Sequence, residues 1–119
     1  MKLQALLIAF SLAAAAPALA HSEKGPHGGP LAENNDFHVE LVAKQTSVEV
    51  YLSDANEKAM APAGYKGIAI LSVGGKAQRI ELKPDQARLI GTSPVALPAQ
   101  PKGVIQITKP DGKTSQVKF

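Results

Sequence analysis

The chain contains no cysteine and no tryptophan, and only two tyrosines and three phenylalanines in 119 residues. Without cysteine, no disulfide can staple the fold and no thiolate can hold a metal ion. So few aromatics argue against a platform on which sugars or bases would stack. Neither sign of charge dominates: 13 Lys and Arg stand against 10 Asp and Glu, a formal +3. The charges are interspersed rather than blocked, which is not the footprint of a nucleic-acid-binding chain. Catalytic signatures are missing too. There is no G-x-S-x-G elbow and no H-E-x-x-H pair, and the Gly74-Gly75-Lys76 triplet precedes no helical pattern, so it is not a phosphate loop. The expectation is a protein that is not an enzyme and does not bind nucleic acid.

What is present begins with a leader. Met1-Lys2 is a short positive start, Leu3 to Ala16 is apolar except for Gln4 and Ser11, and Pro17 breaks any helix. Ala18-Leu19-Ala20 then fits the small-x-small rule for signal peptidase. Residues 1–20 read as a secretory signal peptide, and the apolar stretch is short of the ~20 residues a bilayer span needs. Export to the periplasm is expected, with no stable membrane insertion after processing. Cleavage after Ala20 leaves 99 of the 119 residues, and loss of Lys2 takes the cations to 12 against 10 acids, a formal +2. That is one small domain with room for one modest core. Residues 21–35, "HSEKGPHGGPLAENN", are rich in Gly, Pro and polar groups and read as a flexible leader; residues 36–119 read as the folded domain.

From Phe37 onward the pattern has period two. In "FHVELVAK" Phe37, Val39, Leu41 and Ala43 share one face; in "SVEVYLSD" Val48, Val50 and Leu52 do the same. Both read as half-buried strands joined by the turn Lys44 to Ser47. Closing that turn pairs Ala43 with Val48, Leu41 with Val50 and Val39 with Leu52, so turn and pattern agree on one register. The same register sets Glu40 beside Tyr51 and His38 beside Ser53 on the outer face. "GIAILSV", Gly67 to Val73, is apolar on both faces and reads as a central strand. "AQRIELK", "ARLIGT", "VIQIT" and "SQVKF" complete about seven strands, with Pro-rich Ser93 to Gly103 as a loop and a single weak helical turn at Glu57 to Ala61. The expected fold is all-β: a small antiparallel β-sandwich of immunoglobulin-like character, or an open barrel.

The candidate chemistry lies in the histidines. His21, His27 and His38 are the chain's three, and all precede residue 39. Asp36, His38 and Glu40 alternate, so the pattern places them on one outer face. Imidazole and carboxylate without sulfur suit divalent copper, zinc, nickel or cobalt, with copper(II) preferred because it heads the divalent affinity order. Gly28 and Gly29 give His27 freedom to fold back toward that face. His27 and His38 are the preferred ligands, His21 is next, and Glu40 and Asp36 are candidate oxygen donors. If His21 is the mature N-terminus, its α-amine and imidazole can chelate one ion together. The second expectation is of another class: a metal-free domain that binds an envelope protein through a sheet edge or its outer face.

"HGGPLAENNDFHVELVAK" followed by "VEVYLSD" resembles a group of small exported β-proteins, mostly uncharacterised. Their pattern is a His-Gly-Gly leader, a strand like "HVELV" and a strand ending "YLSD" or "YVRD". It is similar also to the N-terminal region of periplasmic adaptor subunits of heavy-metal efflux pumps. The matching positions are His27, Gly28, Gly29, His38, Glu40 and Leu41. The resemblance implies a periplasmic β-domain, a carrier or sensor accessory to metal resistance, whose partner would be a metal-efflux complex in the envelope.

Overall fold

The structure is a computed structural model and describes residues 23–119. Residues 1–20, expected from the sequence to be a signal peptide, and His21 lie outside the described residues.

The described chain is all β, with eight strands and no helix. They are β1 (Leu31–Glu33), β2 (His38–Lys44), β3 (Ser47–Ser53), β4 (Lys66–Val73), β5 (Lys76–Asp85), β6 (Arg88–Thr92), β7 (Lys102–Thr108) and β8 (Thr114–Lys118). All pairings are antiparallel, in one sheet ordered β1-β2-β3-β6-β5-β4-β7-β8. Strands β4, β5 and β6 form a meander, with β3 returning beside β6 and β7 beside β4, so two Greek keys share those three strands. The sheet curls until its edges β1 and β8 approach one another without pairing. Of the two expected architectures, the sheet takes the form of an open, nearly closed barrel. At one end of the seam the Asn34 side chain bridges the edges, donating to Ser115 Oγ at 3.1 Å and to the Gln116 carbonyl at 3.2 Å.

Period-two patterning explains the interior. Val39 and Leu41 of β2, Val48, Val50 and Leu52 of β3, Ala69 and Leu71 of β4, Ile80 and Leu82 of β5, Leu89 of β6, Ile105 and Ile107 of β7 and Val117 of β8 all point inward and are buried together with Phe37. The β2–β3 hairpin has the register its sequence requires, with Leu41 opposite Val50 and Glu40 opposite Tyr51. Its turn places Gln45 at φ 54°, a left-handed position that a polar residue tolerates.

Two features differ from the sequence pattern. The sheet has eight strands rather than about seven, because Leu31–Glu33, within the presumed leader, pairs with His38–Glu40. Three residues between Pro30 and Asn34 are too few for periodicity to register. The helical turn at Glu57 to Ala61 does not form. Asp54 Oδ1 instead accepts the amides of Asn56 and Lys58, both at 2.9 Å, closing an Asx turn that leaves Glu57 at φ 63°. A short acidic side chain that captures local amides competes directly with helix.

Candidate functional site

The leader is built into the sheet. Lys24 makes a bridge with Pro30, the Leu31 amide donates to the Glu23 carbonyl at 3.0 Å, and the Leu41 amide donates to the Pro30 carbonyl at 3.1 Å. Residues 25–29 between them close on themselves, the Gly25 amide donating to the Gly29 carbonyl at 2.7 Å. This loop lies across the outer face of β2 and covers Glu40, whose side chain is 2% exposed. Gly25 and Gly29 permit the approach: a Cβ at Gly25 would collide with the Glu40 carboxyl, and one at Gly29 with the Leu41 carbonyl.

A carboxylate taken out of water needs donors to replace its hydration. Glu40 has three. Oε2 accepts the backbone amides of His27, at 2.8 Å, and Gly29, at 2.9 Å, while Oε1 lies 2.8 Å from His27 Nδ1. Because an ionised carboxylate only accepts, Nδ1 of a neutral His27 carries the ring proton and Nε2 keeps its lone pair. The ring is also held from one side, stacked on Tyr51 with centroids 3.6 Å apart and planes 11° from parallel. Yet the His27 side chain is 46% exposed. The sequence therefore yields an imidazole held between Glu40 and Tyr51, with close to half of its side chain facing solvent.

Tyr51 is itself anchored. Its hydroxyl lies 3.3 Å from Glu49 Oε2 and 3.5 Å from Arg88 Nη1, and Arg88 Nη1 pairs with Glu49 Oε1 at 2.8 Å. The Tyr51 hydroxyl, and then the charges of Glu49 and Asp85, hold the Arg88 guanidinium above its already high ordinary pKa, against the opposing pull of desolvation. Arg88 Nε is buried without a hydrogen-bond partner among the described residues.

A groove of about 550 Å³ opens between the leader and the β2–β3 face, lined by His27, His38, Glu40 and Tyr51 and rimmed by Glu23 and Glu57. His27 and His38 thus border one space, as their pattern leads one to expect. His38 is also tied to a carboxylate, its Nε2 lying 2.9 Å from Glu33 Oε2. Glu40 is in the groove with both oxygens engaged by the leader. Asp36 is not part of it. It sits in the bend before β2, where its amide and that of Phe37 donate to Asn34 Oδ1, and its carboxylate lies 3.3 Å from Lys109 Nζ. The alternation that would align Asp36 with His38 and Glu40 stops at His38, where β2 begins. His21 lies outside the described residues. Among the described residues, no three His, Asp or Glu side chains are gathered as a ready-made metal cluster.

Sequence reasoning did not find the Glu40 anchor, the His27–Tyr51 stack, the Glu33–His38 pair or the Glu49–Arg88 bridge. A signal existed for the first: a glutamate in mid-strand beside a leader spaced with glycines at 25, 28 and 29. No family model, curated protein or solved structure matches the chain.

Proposed function

We propose that the protein binds a divalent metal ion in the groove between its leader and the β2–β3 face, with His27 Nε2 as the principal ligand. One observation carries this reading: Glu40 holds His27 through Nδ1, on a side chain that is 46% exposed, so that Nε2 is the ring nitrogen left for a ligand. A metal-ligating histidine characteristically gives its other ring N–H to a carboxylate, which sets the tautomer, orients the ring and raises ligand basicity. Glu40 occupies that supporting position here. It serves as a brace rather than as an oxygen donor.

His38, on the same groove, is the second ligand. An ion bound there would compete with its contact to Glu33, whose side chain is 72% exposed. Coordination is completed by solvent, or by His21 and its α-amine if export removes residues 1–20. Nitrogen-rich ligation of this kind favours copper(II) first, then zinc, nickel or cobalt. A resting site without three preassembled ligands suits a carrier or sensor that exchanges its ion, in line with an accessory role in metal resistance or efflux.

The test is equilibrium titration of the processed chain with copper(II) and with zinc, alongside His27→Ala and His38→Ala. The reading predicts saturable one-to-one binding, weakened at least tenfold by either substitution. A chain that binds neither ion, or that binds both equally well after His27→Ala, would overturn it.

A further inference from the structure

Strand β4 departs from the alternation of apolar and polar residues at two successive outward positions. Gly67, Ala69 and Leu71 face the core, yet Ile68 and Ile70 on the opposite face are also apolar and only half-buried. The described strands form a single sheet, so no second sheet lies over that face. An antiparallel strand with one face in solvent ordinarily carries polar residues there. The registers show what surrounds the two isoleucines. Ile70 pairs with Arg79 on one side and Val104 on the other, and Val104 pairs with Lys118. One row across four strands therefore reads cation, aliphatic, aliphatic, cation. With strands about 4.8 Å apart, the two charged positions are about 14 Å from each other. The next row places Glu81, Ile68 and Gln106 side by side. Lys102 lies opposite Ser72 at one end of the patch, and Lys66 and Lys83 lie beyond Gly67 and Leu82 at the other. Five cations frame three β-branched side chains, and Arg79 lies 3.8 Å from the acid among them, Glu81.

From this charge pattern we infer that the outer face of β5-β4-β7-β8 is a docking surface for an acidic protein segment whose carboxylates flank an apolar centre. Like charges gathered on one sheet face oppose folding, and a partner of opposite charge reverses that cost on binding. Complementary charge steers encounter, while the apolar centre, desolvated on contact, holds the complex. The surface lacks the Trp and Phe that seat a protein in a lipid interface, and its aliphatic groups are half covered rather than projecting. Both points favour a protein partner over a membrane. The face adjoins the histidines at one end, where Lys102 and Lys118 line a cavity of about 650 Å³ with Glu33 and His38. Ile68, Ile70, Arg79 and Val104 lie outside that cavity and outside the groove of His27, so the peptide can be titrated in the absence of metal.

The probe is an acidic peptide of alternating glutamate and valine, titrated into the isotopically labelled processed chain and followed by amide NMR. Shifts are expected at Ile68, Ile70, Arg79, Val104 and Lys118. Affinity should fall roughly tenfold or more when salt is raised several-fold, because screening acts on exposed pairs. The double variant Arg79→Glu with Lys118→Glu should fold normally, both side chains being exposed, and lose the peptide. Absence of shifts on this face, or equal binding by the charge-reversed variant, would overturn the inference. So would binding to vesicles containing one quarter phosphatidylglycerol that the peptide fails to displace.

Discussion

Glu40 shows how one buried side chain can organise a loop and an imidazole around it. Its burial alone would be unfavourable; its three donors make it favourable. Two of those donors are amides of a loop that makes little other hydrogen-bonded contact with the sheet, so the carboxylate and the loop hold each other in place. Glu40→Ala leaves the His27 and Gly29 amides without their partner and releases the imidazole from Nδ1. The expected loss is about 1–3 kcal/mol, the cost of stranding buried donors. Chemical denaturation of the two proteins measures it, and a difference below about 0.5 kcal/mol would mean that the loop finds other partners. Tyr51 repeats the logic one layer down: Glu49 and Arg88 hold the phenol, and the phenol supports the ring of His27.

At the scale of the elements, the β2–β3 hairpin was fully legible. Three apolar pairs and a polar turn permit only one register, because a slip by one residue would turn every inward side chain to solvent. Leu41 is completely buried at the centre of that hairpin. Leu41→Ala should therefore destabilise the protein by about 2–5 kcal/mol, read as a lower midpoint in urea; an unchanged midpoint would mean that Leu41 is not a core residue. Strand β1 and the leader loop were not legible for a reason of the same kind. Their order comes from bonds to residues distant in sequence, Glu40 to His27 and Gly29 and Asn34 to Ser115 and Gln116, rather than from a local period. The segment after β3 is rich in both alanine and turn formers, so its composition leaves a helical turn open, while the competing Asp54 side-chain bonds leave no periodic trace.

The whole molecule divides into two faces. The leader, β1, β2 and β3 carry the histidines, the carboxylates that hold them and the groove between; β4, β5, β7 and β8 carry the cations and the aliphatic trio. The sequence brought His27, His38 and Glu40 to attention by their type and crowding, and the fold does gather them at one groove. That Glu40 is buried under the leader while His27 is partly exposed was beyond reach of sequence alone, since spacing does not show which side chain a loop will cover. Asp36 fell outside because only the three-dimensional course of the β1–β2 bend reveals Lys109 as its partner. A barrel left unpaired between β1 and β8 keeps the leader at an edge of the sheet, where its histidine can meet solvent and still rest on a rigid wall.

The central claim, that Glu40 presents His27 to a metal through Nε2, is tested most directly by long-range proton–nitrogen NMR of the imidazoles during a zinc titration. The account predicts that His27 holds its proton on Nδ1 before and after zinc is added, that its Nε2 resonance moves on binding, and that Glu40→Gln weakens the titration roughly 10- to 100-fold, the usual effect of removing a ligand's supporting partner. A His27 ring that carries its proton on Nε2, or whose nitrogen resonances stay in place while zinc binds elsewhere, would contradict it.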